Sequence, residues 1–188
     1  GGLLQMILGS LGYTGPFAAM IAAERELGVE ASAVRRLGAL ALAIIEDARR
    51  VAAKLRLTNA EAKALEAMAD RWSQLAGIDE AAARRWLYRL GEAAYLDRLM
   101  LAWVRTSDGH DISHWRELAR LPQRWQAPKF PLKAADFIAR GIAEGPALGL
   151  VLAQAEQAWL AAEFPLDEAA LSAIADEAVA RFAHDHRL

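Results

Sequence analysis

Residues 58–69 read Thr-Asn-Ala-Glu-Ala-Lys-Ala-Leu-Glu-Ala-Met-Ala, and this stretch decides the secondary-structure class of the chain. Thr58 and Glu61 have the spacing of a capping box. In such a box the threonine oxygen and the glutamate carboxylate each bind a backbone N–H group that the first helical turn leaves unpaired. We therefore predict that a helix begins at Thr58 and ends before Gly77.

The same helical pattern extends along the chain in both directions. Apolar residues recur at spacings of three and four, and alanine, leucine, glutamate and arginine are abundant, which is typical of helices. Gly28, Ser32, Asp79 or Glu80, and Pro146 have the residue types expected at helix ends. The predicted helices cover residues 17–27, 33–55, 81–90, 113–121, 132–140, 146–163 and 168–184, with one more between Gly91 and the turn at 107–109.

Residues 122–131 contain three prolines and few helix formers, so we predict a loop and a subdomain boundary there. With 188 residues and 55% hydrophobic content, the chain is long enough to bury one full core or two small ones. No stretch has the pattern of a strand. The expected fold class is therefore all-α, an array of several helices.

The absence of cysteine excludes disulfide scaffolds, thiolate metal sites and cysteine nucleophiles. It fits a reducing compartment, and we expect the cytoplasm. The uncharged run 1–23 is interrupted by glycines and by Pro16 and lacks a basic start. We therefore predict neither a signal peptide nor a membrane anchor.

The formal net charge of −2 hides an uneven distribution along the chain. Segment 84–105 carries a net charge of +3, segment 112–140 carries +4, and segment 141–188 carries −6. An anionic partner would therefore favour the middle of the chain. Ordinary solvated helix faces would also produce such a pattern, because charges that cluster in sequence often disperse in space.

Two groups of residues invite a catalytic or metal-binding interpretation. Residues 46–50 read Glu-Asp-Ala-Arg-Arg, but on a helix such neighbours form ordinary surface ion pairs. His110 and His114 are four residues apart, and His184 lies near His186, yet the first pair is better explained by a polar turn and the second has no partner cluster nearby. Neither an Asp-x-Asp pair nor a phosphate-binding glycine loop occurs. We expect no catalytic residue and no metal site in this chain.

Other features point to a nucleic acid. Residues 141–149 form a glycine-punctuated turn before a helix that Pro146 begins. The turn has two interpretations of equal weight: a phosphate held by exposed N–H groups, or a tight connection that needs glycine for its backbone geometry. Trp115 and Trp125 lie among arginines and lysines, where aromatic faces could stack on unpaired bases.

Two stretches carry a resemblance to a known family. The first is Leu-Arg-Leu-Thr-Asn-Ala-Glu at 55–61, and the second is Pro-Lys-Phe-Pro-Leu-Lys-Ala-Ala-Asp at 128–136. The second continues through Gly141, Gly-Pro-Ala-Leu-Gly at 145–149, Glu156, Trp159 and Phe164. From about residue 17 onward the chain resembles the C-terminal half of bacterial class II, poly(A) polymerase-like tRNA nucleotidyltransferases. Ala134 stands where the family pattern has glycine.

The resemblance implies the end of a helical neck at 1–56, a helical body at 57–125 and a helical tail at 126–188. The family's catalytic head precedes these parts, and its metal-binding and nucleobase-reading motifs do not occur in this sequence. The resemblance therefore implies no cofactor here, with Mg²⁺, CTP and ATP bound by the head. Residues 46–50 resemble the family's nucleobase-reading motif but come too late in the family's order, so we assign them no such role.

The resemblance also implies contact with RNA, through the acceptor and T-stem of a tRNA to which the whole enzyme adds CCA. A poly(A) polymerase would share the same helical region. A helical protein-interaction module and an independent helical enzyme are the alternatives of other classes. The candidate RNA-binding residues are Arg84, Arg85, Arg89, Arg116, Arg120, Arg124, Lys129, Lys133, Arg140 and Gly145.

Overall fold

The computed structural model describes residues 12–106 and 111–185. Within these ranges the chain forms eleven α-helices, one short 3₁₀ turn at Trp72–Leu75 and no strand, which confirms the all-α prediction. The helices are α1 Thr14–Leu27, α2 Ala33–Ala41, α3 Ile45–Leu55, α4 Asn59–Ala69, α5 Glu80–Leu90, α6 Glu92–Thr106, α7 Ile112–Ala119, α8 Leu121–Arg124, α9 Ala134–Ile138, α10 Pro146–Ala161 and α11 Glu168–Asp185.

Several predicted helix ends are confirmed by their hydrogen bonds. Thr58 and Glu61 form the predicted capping box, with the backbone N–H of Thr58 donating to Glu61 Oε2 at 2.8 Å. Ser32 Oγ accepts from a backbone N–H of the first turn of α2, and Asp79 Oδ1 does the same in α5. Gly28 ends α1 in the left-handed conformation, with φ of 65°, which a residue with a Cβ adopts at a cost.

The predicted single helix at 33–55 is wrong, because the chain breaks at residues 42–44 into α2 and α3. The Asp47 carboxylate accepts hydrogen bonds from the N–H groups of Ala43 (2.8 Å) and Ile44 (3.0 Å). The Arg105 guanidinium donates to the carbonyls of Ala39 and Leu42 at the end of α2. These side chains satisfy the backbone groups that a continuous helix would have paired.

Two further boundaries differ from the prediction. Helix α7 covers Ile112–Ala119 instead of 113–121, and Asp111 caps it, because its Oδ1 accepts from the N–H of Ser113 at 2.9 Å. The predicted loop at 122–131 starts with the short helix α8, in which Pro122 occupies the first turn. Proline is compatible with that position because the first helical N–H groups have no partner within the helix.

The described residues up to Gln126 form one compact unit, which we call the N-terminal unit. Its core is centred on α6, where Tyr95, Leu99 and Met100 are fully buried. Helix α6 packs against α1, α2, α4, α5 and α7. The Tyr95 hydroxyl donates to the carbonyl of Leu118 at 2.9 Å, which fixes α7 to this core.

The described residues from Ala127 to Asp185 form a second compact unit, the C-terminal unit, with a core of its own. Trp159 of α10 is fully buried there, and its indole N–H donates to the carbonyl of Pro165 at 2.8 Å. The rings of Phe130 and Phe164 lie 5.3 and 5.0 Å from the Trp159 ring. The assignment of neck, body and tail to these residues stays a prediction.

None of the helices in the described ranges combines the length and the apolar character needed to cross a membrane.

Candidate nucleic-acid interface

The structure places six of the ten candidate residues in the N-terminal unit and four in the C-terminal unit. In the N-terminal unit, Arg84, Arg85 and Arg89 lie on α5, whereas Arg116 and Arg124 lie on α7 and α8. Helices α5 and α8 pack together, and α7 packs against α8. This packing gathers the predicted basic residues of segments 84–89 and 116–124 around neighbouring helices. The sixth residue, Arg120, joins α7 to α8 and is exposed.

One carboxylate lies between two of these arginines. Arg84 Nη2 donates to Glu80 Oε1 at 2.6 Å, and Arg124 Nη1 donates to Glu80 Oε2 at 2.9 Å. Arg124 Nη2 also lies 3.9 Å from Glu117 Oε2. The hydrogen bond from Arg124 is the largest influence that holds the pKa of Glu80 below its usual value, and Glu80 is therefore ionised at neutral pH.

Arg116 has a structural partner outside the segment. Its Nη2 forms an ion pair with Glu26 Oε1, which connects α7 to α1. The Arg116 charge is therefore partly neutralised within the fold. Arg116 is therefore a poorer candidate for phosphate binding than the sequence indicated.

Arg85 and Arg120 differ from their neighbours, because neither forms an ion pair with any residue that the structure describes. Arg85 is half-buried and Arg120 is exposed. Arg85 and Arg120 therefore keep the positive charge that the sequence predicts for this surface. Arg89 is exposed and lies one helical turn beyond Arg85, on the same face of α5.

Lys129 and Lys133 are exposed in the C-terminal unit, and within the described ranges neither side chain has an ion-pair partner. Arg140 is instead held by α11, since its Nε donates to Asp176 Oδ1 at 2.7 Å and its Nη2 donates to Ser172 Oγ at 3.1 Å. Of the three charged candidates in this unit, the two lysines are therefore available to bind an anion. Arg140 instead links α9 to α11.

The turn at residues 141–149 has a backbone that requires glycine at two positions. Gly141 has φ of 89° and Gly145 has φ of 132°, values that side-chain-bearing residues rarely adopt. Pro146 begins α10, as predicted. The backbone-geometry interpretation of these glycines is confirmed, whereas phosphate binding at Gly145 stays a prediction.

The two tryptophans that the sequence offered for base stacking differ in exposure. Trp115 is 0% exposed and lies parallel to Trp103, with 6.5 Å between the ring centroids. The stacking prediction for Trp115 is therefore wrong, because a fully buried ring has no face for a base. Trp125 is half-buried, and Arg84 Cζ lies 5.8 Å from its ring centroid.

The acidic and basic cluster at residues 46–50 has a structural role, but only its Asp47–Arg50 pair has the predicted helical spacing. Asp47 caps α3 and accepts from Arg50 Nη2 at 2.6 Å. Arg49 lies 3.5 Å from Glu66 of α4. Across residues 12–106 and 111–185, no three histidine or acidic side chains are grouped as metal ligands would be. His110 and His186 lie outside the described residues.

The residues that sequence reasoning missed are the carboxylates that neutralise the candidate arginines. Glu80 is four residues from Arg84, a spacing that is visible in the sequence. Glu26 and Asp176 have no such signal, because each is far along the chain from the arginine that it binds.

Comparison with known proteins finds a relative that matches part of this chain. No known protein-family profile matches the chain. The chain is 34% identical over 91 residues to a Rhodospirillum rubrum protein named "Uncharacterized 28 kDa protein in petA 5'region". The match covers 45% of this chain and 35% of that protein, so the chain spans about a third of the length of that relative.

Proposed function

We propose that this chain is the RNA-holding helical region of a bacterial tRNA nucleotidyltransferase, an enzyme that adds CCA to tRNA 3′ ends in the cytoplasm. In this proposal the chain contacts the acceptor and T-stem of tRNA. A separate catalytic head holds Mg²⁺, CTP and ATP. One observation carries the proposal: Arg85, Arg120, Lys129 and Lys133, all within residues 84–140, have no ion-pair partner among the described residues, so that no carboxylate there neutralises them.

The packing of the C-terminal unit supports the resemblance on which the proposal depends. Phe130, Trp159 and Phe164 are family-pattern residues that are far apart in sequence, and their rings are in contact in one core. Ala134, which replaces the family's glycine, is exposed at the first residue of α9. A methyl group at that position therefore has room.

Unpaired surface cations are suited to a helical RNA. Double-stranded RNA is recognised mostly through its shape, its phosphates and its 2′-hydroxyl groups, because side chains cannot read its deep major groove. Lysine and arginine that neutralise phosphates release condensed counterions, which makes the affinity depend on salt. An arginine that already binds a carboxylate contributes less, since that ion pair must first be broken.

The sharpest test changes the two lysines of the C-terminal unit. We expect the double substitution Lys129→Glu and Lys133→Glu to weaken binding of a tRNA acceptor and T-stem minihelix. It should also reduce the slope of log affinity against log salt by about 0.9 for each phosphate that the chain no longer neutralises. Fluorescence anisotropy of a labelled minihelix, over a salt series from about 50 to about 200 mM, measures both quantities.

The matched control is Lys54→Glu with Lys63→Glu, which makes the same change in charge at two exposed lysines of α3 and α4. This control should weaken binding far less, because these lysines lie outside the basic segment. Equal losses for the two double variants would contradict a local RNA surface. Absence of binding at low salt, or binding that does not respond to salt, would contradict the proposed function as a whole.

A further inference from the structure

The bridge between Glu80, Arg84 and Arg124 has the composition of an occupied anion site. Each oxygen of the Glu80 carboxylate accepts from a different guanidinium, at 2.6 and 2.9 Å. Two guanidinium groups that converge on one anion with two or more oxygens are a recurring arrangement for binding phosphate. The Glu80 carboxylate is the anion on which the two guanidinium groups converge.

This bridge is accessible from solvent. The Arg84, Arg124 and Glu80 side chains are 34%, 41% and 38% exposed. A phosphodiester on the surface of an RNA helix can therefore approach the two guanidinium groups without unfolding either helix.

The two arginines keep other supports when Glu80 is displaced. Arg84 remains next to the Trp125 ring, and Arg124 Nη2 still donates to the Glu117 carbonyl at 3.4 Å. Helix α5 keeps its start as well, since Asp79 caps it by accepting from the N–H of Ala82 at 2.7 Å. Glu80 is therefore dispensable for the position of the cations that it neutralises.

We propose that Arg84 and Arg124 form a binding site for one RNA backbone phosphate, and that Glu80 is an internal competitor which the phosphate must displace. This inference rests on the proposed function, because the phosphate is that of the RNA which the chain holds. The exchange of one anion for another breaks no covalent bond.

The test replaces Glu80 by its neutral isostere. We expect Glu80→Gln to bind the acceptor and T-stem minihelix about 3- to 10-fold more tightly than the unchanged chain, the range given by loss of weak surface ion pairs. Adding Arg84→Gln and Arg124→Gln to Glu80→Gln should remove the whole gain. Thermal melting followed by circular dichroism establishes that each variant is folded.

The matched control is Glu177→Gln, since Glu177 forms the same kind of ion pair, four residues from Arg181, at 2.7 Å. It makes the same change in net charge outside the proposed site. If the unchanged chain binds RNA but Glu80→Gln is no tighter than Glu177→Gln, the competitor is excluded while the proposed function stands. If Glu80→Gln still increased the affinity for RNA after both arginines had been replaced, the proposed phosphate site would also be contradicted. If no variant binds RNA at low salt, both proposals fail.

Discussion

Glu24 is the residue on which the junction of α1, α2 and α6 depends. Its side chain is 2% exposed and accepts from Arg35 Nη1 at 3.0 Å, from Arg36 Nε at 2.7 Å and from the N–H of Ser32 at 3.1 Å. Arg35 also binds Asp97 of α6 at 2.9 Å. One buried carboxylate therefore orders two arginines and the start of a helix.

We expect Glu24→Gln to lower the free energy of unfolding by about 3 kcal/mol, because a buried arginine would lose its charged partner. Urea denaturation followed by circular dichroism measures this decrease. Glu30→Gln is the control, since Glu30 is exposed and engages Arg35 only through its backbone carbonyl. Comparable decreases in the two variants would show that the buried ion pair has no special role.

Single residues also show where sequence reasoning about the site reaches its limit. Arg116 and Arg120 have similar sequence surroundings, yet only Arg116 finds a carboxylate in the described structure, on α1. A sequence gives the positions of cations along a helix, because helical spacing is regular. It does not give their neutralising partners when these come from another element, and the free charge of a surface depends on those partners.

Among the secondary-structure elements, α3 begins at a break from α2 that the Asp47 carboxylate helps to hold. Burial acts to raise the pKa of Asp47, but hydrogen bonds from Ile44, Ala43 and Arg50 outweigh burial and hold that pKa below its usual value of 3.8. A depressed carboxylate pKa stabilises the fold at pH values above the usual pKa. That contribution is lost as the pH falls through the folded-state pKa.

We therefore expect Asp47→Asn to be less stable than the unchanged chain by about 1 kcal/mol at neutral pH. The difference should begin to shrink below pH 3.8, the usual value, and should vanish once the pH has fallen below the folded-state pKa of Asp47, because the side chains of both proteins are then neutral. Urea denaturation at a series of pH values measures it. The control is Glu46→Gln, because Glu46 is the exposed neighbour of Asp47. If the loss of stability in Glu46→Gln had the same pH dependence, the helix-capping role of Asp47 would be contradicted.

The helix ends divide into those that sequence predicts and those that it does not. The Thr58 and Glu61 box was predictable because its two partners lie three residues apart. The break at residues 42–44 was not, because Arg105 of α6 and the indole N–H of Trp72 hold the carbonyls of Leu42 and Ala43. Hydrophobic periodicity continues through such a break, so the pattern alone predicts one long helix.

The two compact units have separate cores, and the C-terminal unit is the smaller of the two. Small domains bury a lower fraction of their surface and have less stability to lose. Trp159 supplies the largest fully buried side chain of the C-terminal unit. The stability of that unit should therefore depend strongly on this one ring.

We expect Trp159→Ala to remove about 3 to 5 kcal/mol from the C-terminal unit, which is of the order of the whole stability of a unit this small. Scanning calorimetry should show an early transition for that unit, with the transition of the N-terminal unit retained. Phe182→Ala on the half-buried face of α11 is a milder control. A single unchanged transition in Trp159→Ala would mean that the ring is not central to the core.

The ion pairs of this protein divide the cations by residue type. Among the described residues, every ion pair uses arginine, whereas Lys54, Lys63, Lys129 and Lys133 are exposed and have none. Acylation removes the charge of a lysine amine but leaves arginine unchanged. Acylation of the amines would therefore lower the surface charge without breaking any ion pair of the described residues.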